Sequence, residues 1–142
     1  VPGCRGRESA TMSAMNAAPG GALDDLTAFI GFRFEEPGVI RVTIGPHLIN
    51  RAGILSGAAT YAMVDYAMGS ALWVERNEGE GIATLSIAIN YLQTALAGDI
   101  VCRAVVDRRN RTAATLRATV ETDDGRLLCT AIGSFSIFQR KR

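Results

Sequence analysis

Histidine and cysteine are both scarce in this chain, and their scarcity narrows the chemistry available to it. Among 142 residues there is one histidine, His47, and three cysteines, Cys4, Cys102 and Cys129, with no C-x-x-C pair. One histidine cannot build a His-rich metal site. An odd and sparse set of cysteines favours reduced core thiols in a cytoplasmic protein over a disulfide framework. We therefore expect neither a metal nor a redox cofactor.

The chain also lacks an excess of either charge. Fifteen Lys and Arg residues stand against fourteen Asp and Glu residues, which leaves a formal charge of +1. This balance gives no general attraction to nucleic acid or to a membrane surface, so we expect neither as a partner. Apolar residues make up 48% and charged residues 20%, which is typical of a globular chain, and the length fits one domain.

The apolar run of a secretory signal is missing from the first twenty residues, so we expect a cytoplasmic location. These residues are small, polar and rich in Gly and Pro. The composition predicts a disordered arm over residues 1–21, a single folded domain over 22–138, and a solvated basic tail, QRKR, over 139–142.

Hydrophobic periodicity predicts an α+β domain whose strands follow a long helix. Ile87, Ile89 and Tyr91 alternate with polar or small residues, and Leu85 extends their pattern. The alternation is clearest over 112–122, where it predicts one buried face formed by Ala114, Leu116, Ala118 and Val120. Short turns between the last four strands require antiparallel pairing. The predicted elements, in order, are a helix over 22–31, strands over 32–36 and 39–44, a helix over 56–77, and strands over 84–92, 99–107, 112–122 and 127–138.

The long predicted helix is apolar on nearly every face. It begins at Ser56, a good N-cap residue, and carries one acid, Asp65, near its middle. Its length and Asp65 exclude a transmembrane helix. A helix that is apolar all round must be buried all round, and one sheet can cover only one side. A second copy of the same sheet is the simplest cover, so the pattern favours a dimer.

Asp65 and the start of this helix are the candidate chemical groups. A buried aspartate must be hydrogen-bonded or reach a wet cleft, and such carboxylates concentrate at functional sites. The alternative is a structural carboxylate bound by backbone amides or a tyrosine. The N–H groups from Ser56 to Ala59 could stabilise a carbonyl oxygen that gains negative charge. An ordinary capped helix, with Gly57 present for tight packing, is the alternative.

Other polar residues carry weaker signals. Asn50, in the loop before the helix, could orient water or a carboxylate, or could simply favour an awkward loop conformation. Arg108, Arg109 and Arg111 could hold phosphates, although a solvated hairpin tip explains them as well. A Ser-His-Asp triad would have to use His47, and nothing in the sequence brings it to a serine.

Two stretches of sequence resemble the phenylacetate-pathway (PaaI-like) branch of the hot-dog thioesterases. Asn50-x-x-Gly53-x-x-Ser56-Gly57-Ala58, followed by Asp65, resembles the family pattern N-x-x-G-x-x-H-G-G with an acid further along. The strand that starts at Thr84, TLSIAINYL, resembles the family's T-V-x-L-N-I-N-F-L. The resemblance covers about residues 22–138. It departs from the family at Ser56, where the histidine stands, and at Ala58, where the second glycine stands.

This resemblance implies a hot-dog fold, in which a curved antiparallel sheet wraps around one long central helix, and a homodimer or tetramer. It also implies that Asp65 is a general base or nucleophile and that the Gly57 N–H forms an oxyanion hole. Asn50 would position water or the thioester, Thr84 would assist the water or the carboxylate, and Ser56 would keep part of the histidine's supporting role. In the family, the catalytic groups of one site come from two protomers.

We therefore expect the chain to hydrolyse acyl-CoA thioesters without a cofactor. Ala58, Tyr61 and Met68, with Met63 nearby, are expected to hold the acyl chain, and Arg109 and Arg111 to contact the phosphates of CoA. Two alternatives stay open. Because Ser56 replaces the histidine, the chain could bind acyl-CoA without cleaving it. It could also be a hot-dog dehydratase or hydratase, which would pair His47 with an acid.

Overall fold

The computed structural model describes residues 20–141, so most of the predicted N-terminal arm lies outside the described residues. Gly20, at the end of that arm, forms a bridge with Phe34. The elements are α1 (Asp25–Ile30), β1 (Arg33–Glu36), β2 (Val39–Thr43), a 3-10 helix (Pro46–Leu48), α2 (Gly57–Trp73), β3 (Glu80–Tyr91), β4 (Asp99–Arg109), β5 (Ala113–Thr122) and β6 (Leu127–Gln139).

Within the described residues, six strands form one sheet in the order β1-β2-β4-β5-β6-β3, and every neighbouring pair is antiparallel. The sheet wraps around α2, which contacts β2, β3, β4, β5 and β6. This arrangement confirms the predicted α+β class and the predicted order of helices and strands along the chain. It leaves β1 and β3 as the two edge strands, and β3 is the longer of them.

The long helix is shorter than the sequence predicts, because α2 ends at Trp73 and the prediction ran to Asn77. The residues after Trp73 make side-chain contacts in place of helical hydrogen bonds. Arg76 stacks on the Trp73 ring at 4.0 Å, and the Asn77 N–H donates to the carboxylate of Glu80 at 2.7 Å. Because the Asn77 N–H donates to a side chain, it does not bond a carbonyl of the preceding turn, and α2 ends before Asn77. No helix within residues 20–141 has the length and hydropathy that are needed to cross a membrane.

The core lies between α2 and the inner face of the sheet. On β5 the predicted alternation is confirmed, with Ala114, Leu116, Ala118 and Val120 buried. On β3 the prediction for Leu85 is wrong, because a β-bulge between Thr84 and Ser86 breaks the alternation. Leu85 is 63% exposed, although Ile87 packs against the core as predicted.

The two cysteines within the described residues are free and buried, in agreement with the expectation of reduced core thiols. Cys102 on β4 and Cys129 on β6 both pair with Val120 on the strand between them. Two strand spacings, about 9.5 Å, separate them, which is too far for a disulfide bond.

One side of α2 is not covered by the sheet. The residues there are Ala58, Tyr61, Ala62, Asp65 and Gly69, which fall on one face at helical spacing and are all partly or fully exposed. We call this face the open stripe of α2. The remaining faces are buried, with Met63, Val64, Ala67 and Leu72 completely inaccessible. Residues 20–141 of one chain therefore do not bury α2 on all sides.

Candidate active site

Asp65 lies at the middle of the open stripe, with its carboxylate partly exposed. Its Oδ1 accepts a hydrogen bond of 2.6 Å from the hydroxyl of Thr84 on β3. Thr84 faces the helix because it pairs with the inward-facing Phe135 on β6. The bulge that follows Thr84 turns Leu85 outward without disturbing this contact. The carboxylate is thus held from one side by a hydroxyl group and open on the other.

Tyr66, the next residue on α2, adds to the electrostatics around this carboxylate. Its hydroxyl donates a hydrogen bond of 2.7 Å to Asp24, the residue that caps α1. Burial, followed by the hydrogen bond to Asp24 and the negative charges of Asp24 and Asp65, raises the pKa of Tyr66 to about 12. The phenol therefore stays neutral at ordinary pH, and it anchors α1 to α2 beside Asp65.

The first turn of α2 presents backbone donors that have no acceptor. Within residues 20–141 the N–H groups of Gly57 and Ala58 make no hydrogen bond, whereas the Ala59 N–H bonds the Ser56 carbonyl at 3.1 Å. Ser56 occupies the N-cap position as predicted, but its side chain makes no capping hydrogen bond. Two free donors at the positive end of a 17-residue helix can bind an oxygen that carries negative charge.

Gly57 lies under the ring of Tyr91, the last residue of β3. A Cβ atom on Gly57 would lie 3.1 Å from Cζ of Tyr91, so the absence of a side chain makes room for the ring. The Tyr91 hydroxyl donates a hydrogen bond of 2.8 Å to the Gly57 carbonyl. Gly57 is therefore tightly packed, and its partner is a tyrosine to which the sequence patterns assigned no functional role. The signal was available, since this tyrosine stands where the family strand carries phenylalanine.

Asn50 lies in a narrow loop that is closed by a bridge between Ile49 and Leu55. Its Oδ1 accepts a hydrogen bond of 2.9 Å from the Ala52 N–H. Gly53 in the same loop has φ +79°, a conformation that glycine adopts without strain. The side-chain oxygen of Asn50 therefore stabilises the loop that leads into α2. The Nδ2 group makes no hydrogen bond within the described part of the chain and remains available to a ligand.

The other predicted site residues divide between the open stripe and the rest of the fold. Ala58 and Tyr61 lie on the stripe, and Arg111 is exposed at the β4–β5 turn. Met68 is completely buried against the sheet, where the absence of a side chain at Gly133 leaves space for its sulfur.

Arg109 and His47 have structural partners outside the stripe. Arg109 forms an ion pair with the buried carboxylate of Glu80. The ring of His47 packs edge-on against Phe29, with the ring centres 5.2 Å apart. Within residues 20–141, His47 makes no hydrogen bond to Asp65 or Ser56. The structure therefore does not bring the predicted residues together as one group.

Gly57 and Asp65, the two candidate chemical groups, are also far apart within one chain. Gly57 and Asp65 are eight positions apart on α2, and at a rise of 1.5 Å per residue this separation is about 12 Å along the helix axis. A carbonyl oxygen bound at the Gly57 N–H is therefore out of reach of the Asp65 carboxylate of the same chain.

Comparison with known proteins identifies the family to which this chain belongs. A family model described as the thioesterase superfamily matches residues 52–129, which include Gly57, Asp65 and Thr84. No curated protein matches the sequence.

Solved structures share the fold at low identity. A mutant thioesterase from Pseudomonas aeruginosa is 17% identical with a TM-score of 0.75, and the alignment covers 97% of each chain. A thioesterase from Haemophilus influenzae is 18% identical with a TM-score of 0.73, covering 84% of this chain and 86% of that one. A Bacillus halodurans protein solved with CoA is 23% identical with a TM-score of 0.67, covering 70% of each chain.

The sheet wrapped around a long helix is therefore the hot-dog fold. Because the family model spans more than half of the sequence, the chain belongs to the thioesterase superfamily.

Proposed function

We propose that the protein hydrolyses acyl-CoA thioesters to the free acid and CoA, at sites shared between two copies of the chain. The observation that carries this proposal is the Asp65 carboxylate, which lies on the open stripe of α2 and is held by Thr84. A carboxylate in that position can accept a proton from water or attack a carbonyl carbon itself. The free N–H groups of Gly57 and Ala58 lie at the positive end of α2, where they can stabilise the negative charge on the carbonyl oxygen.

A second copy of the chain is needed because Asp65 and Gly57 of one chain are too far apart to act on one carbonyl group. If the helices of two copies lie antiparallel along their open stripes, Asp65 of each copy approaches the first turn of the other helix. Such a pairing creates two identical sites, as a twofold axis requires.

The free edge of β3 supports this assembly. β3 is twelve residues long and ends the sheet, so its outer edge presents backbone groups that no strand within residues 20–141 pairs with. An exposed edge of that length is a template for pairing with another strand. Antiparallel pairing of β3 with the same strand of a second copy would extend the sheet and set the two open stripes side by side. We propose a dimer built in this way, alone or as half of a tetramer.

The reaction follows from the groups that meet at this interface. The oxygen of a water molecule attacks the thioester carbon while the water proton passes to Asp65. The carbonyl oxygen becomes negative and is stabilised by the Gly57 N–H of the other copy, a contact of the kind that contributes about 2.7–4 kcal/mol. When the carbonyl re-forms, the carbon–sulfur bond breaks, and the thiolate of CoA leaves and takes up a proton. Direct attack by Asp65, followed by hydrolysis of the anhydride, gives the same products.

CoA is the proposed thiol carrier for two reasons. A Bacillus halodurans protein of the same fold was solved with CoA. In this chain, Arg111 is exposed at the β4–β5 turn and forms no ion pair within residues 20–141, so its guanidinium can bind phosphate. The cytoplasm is the compartment we propose, because the free Cys102 and Cys129 suit a reducing environment.

The first experiment measures thiol release from short, medium and aromatic acyl-CoAs. We expect turnover of at least one class. Tight binding of acyl-CoAs without thiol release would instead identify a binding protein, the alternative that Ser56 raises.

The second experiment tests whether the site is shared between copies. Asp65→Asn and Gly57→Pro are each expected to abolish activity. Unfolded together and refolded as a mixture, they should recover about one quarter of wild-type activity. Half of the dimers are then mixed, and each mixed dimer has one intact site. If both groups acted within one chain, mixing would restore nothing. Size measurement of each variant checks that the assembly survives.

A further inference from the structure

The peptide that joins Gly57 to Ala58 has an unusual set of partners. Its carbonyl oxygen accepts hydrogen bonds from the Tyr91 hydroxyl at 2.8 Å and from the Thr60 hydroxyl at 3.0 Å. Its N–H group, which belongs to Ala58, has no acceptor within residues 20–141 and lies on the exposed side of the helix. Two side-chain donors thus converge on one end of a peptide whose other end is free.

Hydrogen bonds accepted by an amide carbonyl polarise the whole peptide group and strengthen its N–H as a donor. The Tyr91 hydroxyl therefore acts on the Ala58 N–H through the peptide bond. It also restricts the tilt of that peptide, because its ring packs on Gly57 and its strand is fixed to β6 by pairing with Cys129.

We propose that Tyr91 is a positioning residue for the oxyanion hole, where it orients and polarises the Gly57–Ala58 peptide. The Ala58 N–H then serves beside the Gly57 N–H as a second donor to the thioester oxygen. This inference rests on the proposed thioesterase function. Tyr91 itself need not touch the substrate.

The state of the Tyr91 hydroxyl suits this role. Partial burial raises the pKa of Tyr91 above its ordinary value of 10, so the hydroxyl keeps its proton throughout the pH range of an activity assay. Thr60, the second donor, is buried, and its hydroxyl reaches the same oxygen from within the helix. The Tyr91 contact is the one that links the first turn of α2 to β3.

The test is Tyr91→Phe, which removes the hydroxyl and keeps the ring. We expect kcat to fall about 3- to 10-fold, the effect of one hydrogen bond that strengthens in the transition state. KM and the affinity for a non-hydrolysable acyl-CoA thioether, which lacks the carbonyl oxygen, should not change. In a nitrogen–proton correlation spectrum, the Ala58 amide proton should move upfield because its peptide is less polarised.

Tyr66→Phe is the matched control, since it removes a phenol hydrogen bond to Asp24 elsewhere on α2. It should leave the Ala58 amide proton unchanged.

Three results would overturn the inference. An active wild type with an unchanged kcat in Tyr91→Phe removes the role of the hydroxyl. Equal losses in kcat and in affinity for the thioether show that Tyr91 only maintains the fold. An unchanged Ala58 resonance in Tyr91→Phe excludes polarisation of the peptide. A wild type that is inert toward every thioester is a different outcome, because it overturns the proposed function itself.

Discussion

The hydroxyl of Thr84 donates a hydrogen bond of 2.6 Å to Oδ1 of Asp65, and this contact joins β3 to the middle of α2. The two residues are nineteen positions apart in the chain. Their contact depends on the path of the chain from the end of α2 into β3. It leaves the second carboxylate oxygen without a partner among the described residues, and a water molecule or a thioester can approach it there.

Replacing Asp65 with asparagine should nearly abolish hydrolysis. The amide has the same size and can still accept from Thr84, but it cannot take a proton from water or attack a carbonyl. We expect kcat/KM to fall by about 10²- to 10⁴-fold, with little change in the melting temperature. Asp25→Asn, on the exposed side of α1, is the control and should keep full activity. Undiminished turnover in Asp65→Asn would remove Asp65 from the mechanism.

Thr84 offers a pair of variants that separate the hydroxyl from the side-chain shape. Thr84→Ser keeps the donor to Asp65, whereas Thr84→Val keeps the shape without the donor. We expect kcat to fall about tenfold in the valine variant and to stay near wild type in the serine variant. Steady-state kinetics at one pH is enough for the comparison. Equal rates in both variants would show that the hydrogen bond has no catalytic effect.

Gly57→Ala should lower activity by displacing Tyr91. The new Cβ would lie 3.1 Å from Cζ of Tyr91 and 3.2 Å from its hydroxyl oxygen, so the ring must move by a few tenths of an ångström. Since Tyr91 is 52% exposed, the ring can move at little cost in stability, but its hydrogen bond to the Gly57 carbonyl is weakened. In the double variant with Tyr91→Phe, the loss in kcat should be smaller than the product of the two single losses. Fully multiplicative losses would contradict this coupling.

Arg109 and Arg111 are two residues apart, yet they should respond differently to alanine. Arg109→Ala leaves the Glu80 carboxylate, which is only 4% exposed, without its cation and should lower the melting temperature clearly. Arg111→Ala should leave the melting temperature unchanged and raise KM several-fold for acyl-CoA. KM for the matching N-acetylcysteamine thioester, which has no phosphates, should not change. A KM effect of Arg111→Ala on both substrates would exclude a phosphate contact.

The pH dependence of stability should carry the signature of Glu80. The backbone N–H of Asn77 first, and then hydrogen bonds from the side chains of Asn77 and Arg109, hold the pKa of Glu80 below its ordinary value of 4.5. A carboxyl group with a lowered pKa in the folded state stabilises the fold above its unfolded pKa and loses that effect as the pH falls through its folded pKa. The difference in unfolding free energy between wild type and Glu80→Gln should therefore be largest near pH 7 and shrink below pH 4.5. Urea denaturation across this range measures it, and a constant difference would contradict it.

Local pattern predicts much of the fold because backbone geometry repeats over a few residues. The alternation on β5 predicted which side chains are buried, and the apolar character of α2 predicted that one sheet would leave part of it uncovered. The bulge at Thr84 could not be predicted in this way. It arises from the pairing of β3 with β6, and it shifts Leu85 out of a pattern that the sequence alone shows as continuous.

Residue spacing along the chain is enough to predict the α+β class, the order of the helices and strands along the chain, and the motif that contains Gly57 and Asp65. Which side chains meet depends on how the chain folds in three dimensions. The fold brings Tyr91 onto Gly57, Thr84 onto Asp65 and Arg109 onto Glu80. The pairs are 34, 19 and 29 residues apart, respectively. Contacts over such separations are set by strand register and by the docking of α2 on the sheet, and no local periodicity records them.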